Sequence, residues 1–223
     1  MKHKTLTILY LIFTFVLPWS LAAMQISLAL ILIYNLALAV RSRRIPFIKH
    51  PFFIPVFVYL FISFLSALFS PDIGRSLGAT IDTQWVLLLL PLLVFTKINE
   101  GDLKLIMHTL IFSASLAAIY GIIQSISGYD VIRGQNLAGI GNFYRATGGY
   151  NFYLTFAGNQ MLVFFPAFYL FIREKKWDRY KILLLAVVVL IFLSIVATFA
   201  RSVWLALIFV LIAGLAMSGK KLF

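Results

Sequence analysis

Cysteine is absent from the 223 residues, which excludes a disulfide framework and any thiolate metal site. Acidic side chains are scarce, seven Asp and Glu against nineteen Lys and Arg. Those nearest the polar turns, Asp72, Asp82 and Asp130, are scattered without the spacing of a paired-carboxylate site. None lies deep within an apolar run, which weighs against a proton-coupled transporter. The three histidines, His3, His50 and His108, form no metal motif, and His108 is expected in packing. No glycine-rich nucleotide loop and no Ser-His-Asp set is visible. Charge of either sign is rare, at 12%, while apolar residues reach 62%, more than a soluble domain of this length can hide. A net charge of +12 would suggest nucleic acid in a soluble protein. Here the charges sit in short clusters between apolar runs, which implies the lipid bilayer and no nucleic acid.

What is present reads as an all-α, polytopic transmembrane helix bundle, residues 1–223 forming one domain. Leu6 to Val40 is too long for one crossing, which needs roughly 20 residues. Pro18 lies near its middle, so two short spans are expected, about 5–22 and 24–40. Ser20-Leu-Ala-Ala23 offers small residues of the kind a cleaved leader ends on, but the apolar run continues past it, against cleavage. Further spans are expected at Pro51–Phe69, from near Leu77 to Phe95, and at Leu105–Ser127, Phe152–Ile172, Ile182–Ala197 and Val203–Met217. The fifth has a small face, Ala114, Ala117, Ala118 and Gly121, that lets a neighbouring helix approach closely.

With eight spans and an inner N-terminus, fifteen of the nineteen Lys and Arg fall inside. Arg75, Arg133, Arg145 and Arg201 fall outside. If residues 6–40 form one helix, seven spans remain and Lys2 and Lys4 join the outer set. Both topologies place the polar stretch 128–150 and Arg201 on the outer side. Trp19, Trp85, Trp177 and Trp204 lie near span ends, as interfacial tryptophans do.

Arg201 sits between two apolar spans, where a guanidinium is costly unless it meets an anion, a partner or water. One reading is an arginine snorkelling to the interface. The other is a ligand for a lipid-linked phosphate, which a planar, permanently charged fork binds through parallel hydrogen bonds. Arg145 precedes Ala-Thr-Gly-Gly and another apolar span; Gly148 permits a tight turn, and a helix opening near Asn151 would favour an anion. Arg133 is a further candidate with Asp130 as its nearby partner, and Arg75 reads as balancing Asp72 and Asp82.

Arg145-Ala-Thr-Gly-Gly-Tyr-Asn-Phe-Tyr-Leu-Thr-Phe-Ala-Gly158 resembles a segment of the O-antigen ligase and O-antigen polymerase superfamily, an Arg-x-x-Gly element followed by Asn or His and small residues entering a helix. Thr198-Phe-Ala-Arg-Ser-Val-Trp-Leu-Ala-Leu207 is similar to its Thr-x-Ser-Arg-x-x-Trp-Leu-Ala element, with Ala200 where Ser or Gly is common. The resemblance implies an inner-membrane glycosyltransferase of lipopolysaccharide biosynthesis, its site facing the periplasm. It would use an undecaprenyl-diphosphate-linked glycan as donor, lipid A-core or another lipid-linked glycan as acceptor, and no metal or other cofactor. Arg145 and Arg201 would be the catalytic pair, binding the diphosphate and stabilising the leaving group. With them, Arg133, Gly148 and Asn151 are the expected substrate-binding residues. Family members run longer and carry an outer loop whose histidine activates the acceptor. No histidine of this chain matches it, so the expectation is a truncated product that binds donor without transferring glycan. A transporter or flippase for an anionic or lipid-linked substrate is the alternative. A scaffold subunit without a ligand is a third reading; it requires Arg145 and Arg201 to lie far apart.

Overall fold

The computed structural model describes residues 2–42, 53–88 and 98–218. The basic loop beyond Ser42 with His50, the later part of the fourth expected span with Lys97, the side chain of Trp85 and the C-terminal end lie outside the described residues.

Eight helices are described: α1 (Lys2–Val16), α2 (Leu21–Ser42), α3 (Phe53–Leu68), α4 (Ile73–Leu88), α5 (Glu100–Ser127), α6 (Tyr153–Arg173), α7 (Arg179–Ala197) and α8 (Arg201–Ser218). The first apolar run breaks at Pro18, as expected. Trp19 N–H and Ser20 N–H both donate to the Val16 carbonyl, and the Ser20 hydroxyl accepts from Ala23 N–H to open α2. Four segments are long and apolar enough to cross a membrane: Leu21–Arg41, Glu100–Ser127, Tyr153–Arg173 and Arg179–Ala197. Lys4–Val16, Phe53–Leu68 and Arg201–Ile212 are shorter apolar helices. The chain is therefore a helical, membrane-associated protein, and a count of eight spans goes beyond what these lengths support.

The chain divides into two compact units, Met1–Leu9 with Ser27–Asn99, and Tyr10–Ile26 with Glu100–Phe223. In the first unit α3 and α4 form a hairpin. The Asp72 carboxylate accepts the Arg75 backbone N–H at 3.1 Å, which caps the start of α4. The Ser76 hydroxyl donates to Ser70 at 2.7 Å, and Gln84 Nε2 reaches Tyr59 at 3.5 Å.

In the second unit α5, α6 and α7 pack around Ala114, Ala118, Val163, Phe164, Ala167, Ile191 and Ile195, and Leu207 of α8 joins them. The small face of α5 is the packed face: Ala114, Ala117 and Ala118 are fully buried. A methyl on Gly121 would lie 2.6 Å from the Phe156 ring, so α6 uses the missing side chain to close in. Gln160, also fully buried, donates Nε2 to the Ala114 carbonyl at 3.2 Å. The 128–150 stretch is not irregular. It folds into two small hairpins, β1 (Tyr129–Asp130) with β2 (Gln135–Asn136) and β3 (Gly139–Ile140) with β4 (Phe143–Tyr144). His108 is not in packing: it is exposed on α5, its Nε2 3.0 Å from the Tyr180 hydroxyl.

Candidate functional site

Three turns meet at one end of the second unit. Ala146 N–H donates to the Ala197 carbonyl at 3.0 Å, joining the hairpin segment to the end of α7. Tyr150 donates its hydroxyl to the Leu17 carbonyl in the α1–α2 turn, and Asn159 Nδ2 donates to the same two oxygens, at 2.7 Å to Tyr150 and 3.2 Å to Leu17. Burial pushes the Tyr150 hydroxyl up to about 12. Trp19 Nε1 donates to the Ser113 hydroxyl at 3.0 Å, and Trp204 Nε1 to the Ile195 carbonyl at 3.2 Å. These two tryptophans lie near helix ends as expected, but their indole N–H groups point into the protein. Trp177 is exposed, its ring under the Lys181 ammonium at 4.7 Å.

The segment carrying Arg145 is fixed on several sides. Arg145 N–H donates to the Ala138 carbonyl at 2.9 Å. The buried Gln124, close to the end of α5, accepts Thr147 N–H at 3.1 Å and Gly148 N–H at 2.8 Å on Oε1, and donates Nε2 to the Gly148 carbonyl at 3.1 Å. An amide so close to a helix end in an apolar sequence is the signal by which the sequence could have shown it. The Arg145 guanidinium lies over the Tyr153 ring at 4.4 Å, and its Nε is buried without a hydrogen-bond partner among the described residues.

On the other side of the site, the α7–α8 turn is built by Thr198. Its hydroxyl donates to the Ile195 carbonyl and accepts Ala200 N–H, and Phe199 takes a left-handed backbone with φ of 53°. Ala200 then opens α8, its carbonyl accepting N–H groups of Val203 and Trp204, so Arg201 is the first residue of that helix. Positive charge at a helix N-terminus opposes the macrodipole unless an anion is shared.

Arg145 and Arg201 line one cavity of about 400 Å³, together with Tyr153, Leu154, Phe199, Ala200 and Ser202. Tyr153 and Leu154 open α6, whose N-cap residue Phe152 makes no side-chain cap bond. Two arginines and the opening residues of two helices thus line one space, with no Asp, Glu or His beside them among the described residues. The structure does not bring every expected residue there. Asn151 lines a neighbouring cavity with Arg145 and Tyr153. Gly148 is buried with φ of +57°, and a Cβ on it would fall 2.3 Å from the Phe156 ring, so close packing and the turn explain it. Arg133 pairs with the fully buried Asp130 at 3.1 Å and donates to the carbonyls of Gly149 and Tyr150, which makes it a brace for the segment. Tyr153, Leu154 and Ser202, absent from the sequence candidates, complete the wall. Among the described residues no group of three metal-ligating side chains occurs. The chain matches no known family, no curated protein and no solved structure.

Proposed function

We propose that this protein binds the diphosphate of a lipid-linked glycan and takes part in its transfer to a sugar acceptor, as the resemblance to the O-antigen ligase and polymerase superfamily implies. The observation that carries the reading is the single cavity shared by Arg145, Arg201 and the opening turns of α6 and α8. Such an array suits an anion with several oxygens, because helix N–H groups and guanidinium forks donate to phosphate from different sides. In the transfer, an acceptor hydroxyl attacks the anomeric carbon and the carbon–oxygen bond to the diphosphate breaks. The departing polyprenyl diphosphate gains charge as the bond lengthens, and fixed cations there lower the barrier. The acceptor proton needs a base, and among the described residues neither cavity beside Arg145 is lined by a carboxylate or imidazole. The site reads as the donor half of the chemistry; the Lys and Arg distribution supports the outer side of the membrane for it, and the resemblance implies that this is the periplasmic face of a bacterial inner membrane. Lipid A-core or a second lipid-linked glycan is the acceptor class. Asp130, in the hairpin segment, is the one buried carboxylate among the described residues, which favours transfer over ion-coupled transport.

The test is equilibrium binding of farnesyl diphosphate and farnesol to the purified chain in nanodiscs. The diphosphate should bind far more tightly than the alcohol. Arg145→Ala and Arg201→Ala should each weaken it by about 10- to 100-fold, the range for a charge-assisted hydrogen bond. Arg75→Ala, outside the cavity, is the control. Equal binding of the two lipids, or indifference to both arginine variants, refutes the reading.

A further inference from the structure

The turn between β1 and β2 is inverted relative to a turn made for water. Its charged side chains face in: Asp130 is fully buried, and the Arg133 guanidinium is held by Asp130 and by the carbonyls of Gly149 and Tyr150. Its apolar side chains face out: Val131 is 70% exposed and Ile132 59%, with Tyr129 exposed beside them. Three consecutive backbone N–H groups are met from within. Ile132 donates to the Tyr120 hydroxyl at 3.0 Å and to the Asp130 carboxylate at 3.1 Å, Arg133 to the same carboxylate at 3.3 Å, and Gly134 to the Asp130 carbonyl at 2.8 Å. Water would satisfy such donors unaided; next to lipid, non-helical backbone needs partners of its own. The bond to Tyr120 also sets the level of the turn. Tyr120 lies seven residues, about 10 Å, before the end of α5 at Ser127, so the chain folds back along the helix after leaving it. α5 is long and apolar enough to cross a membrane, and Phe112, Leu116, Ile119, Ile123 and Ile126 form an exposed stripe along it at helical spacing. Tyr120 stands next to Ile119, so the turn it holds lies level with the last turns of that stripe.

We propose that the β1–β2 turn dips into the membrane: Val131 and Ile132 insert among the acyl chains of the leaflet at that end of α5, with the Tyr129 ring at the headgroup level. The partner is the bilayer itself, and the insertion is independent of what the cavity beside Arg145 and Arg201 binds. The setback of the turn along α5 agrees with the roughly 5–10 Å to which apolar surface groups enter the headgroup–acyl boundary. A protein partner suits the patch less well, because Val131 and Ile132 offer no charge or polar group to orient one. Through Arg133, the inserted turn also braces Gly149 and Tyr150 from the lipid side.

The absence of cysteine makes single-site labelling clean. Val131→Cys and Ile132→Cys, each carrying a nitroxide, are reconstituted as the full chain in vesicles of phosphatidylcholine and phosphatidylglycerol. Power saturation then compares collision with oxygen, which concentrates among acyl chains, and with a nickel chelate confined to water. Ile123→Cys on the exposed stripe of α5 is the lipid reference, and Lys175→Cys in the exposed α6–α7 loop is the aqueous one. Both turn labels should follow Ile123→Cys, open to oxygen and closed to nickel. Either label following Lys175→Cys overturns the proposal. A label that neither reagent reaches shows that protein covers the turn, and overturns it as well.

Discussion

Replacing Gln124 with Met tests whether one side chain holds the site segment in place. The side chain is fully buried and makes three hydrogen bonds to the backbone of Thr147 and Gly148. Met keeps most of the volume and removes every bond, leaving two N–H groups and one carbonyl buried without partners. Each orphan costs about 1–3 kcal/mol, so a loss of about 3–5 kcal/mol is expected once some rewetting of the segment is allowed for. Chemical unfolding in micelles measures that loss. Farnesyl diphosphate binding measures the local consequence, since Arg145 lies two residues from Thr147. If Gln124→Met unfolds within about 0.5 kcal/mol of the parent and binds as well, the clamp is not what fixes the segment.

Two glycines should respond oppositely to alanine. A methyl on Gly149 would lie 2.0 Å from the Trp19 carbonyl oxygen, a backbone atom, so Gly149→Ala should cost about 1–3 kcal/mol or more by overpacking; Gly158 inside α6 meets nothing within 4 Å, so Gly158→Ala should stabilise by up to about 1 kcal/mol. Thermal melting of the pair decides it. The raised Tyr150 hydroxyl predicts an alkaline weakness: its contribution is complete below pH 10, and is lost between pH 10 and about 12 because the unfolded chain ionises first. Tyr150→Phe should lose that leg of the stability–pH curve, and an unchanged curve would contradict the burial of that hydroxyl.

Periodicity and charge made the helices legible in the sequence. Pro18 marked the first turn, and the alanines of α5 marked its packed face, because both effects act within one helix. That Arg145 and Arg201 belong together was also legible, since alternating crossings put 128–150 and 198–202 at the same end. The fold of the loop was not. Its hairpins depend on Asp130 being buried under Tyr120 and Arg133, and on Gln124 reaching back to Gly148, contacts between segments that no local pattern announces. Arg133 illustrates the limit: at sequence level it equals Arg145, and only the buried Asp130 and two carbonyls turn it into a brace. Tyr153 is the converse, an aromatic in a chain full of them, whose place against a guanidinium needed the turn at 145–152.

The length of α5 has a consequence for where a ligand would lie. Its 28 residues extend about 42 Å, well over the roughly 30 Å of a bilayer's hydrocarbon. The stretch between Lys104 and Gln124 is nineteen residues, about 28 Å, and matches that thickness. With Lys104 at one face of the hydrocarbon, the other face falls near Gln124, which would set the segment it clamps at the level of the lipid headgroups. Under the function proposed above, a polyprenyl carrier would then keep its tail among its neighbours while its diphosphate reaches the cavity lined by Arg145 and Arg201, and no lipid would have to be lifted from the membrane to be used.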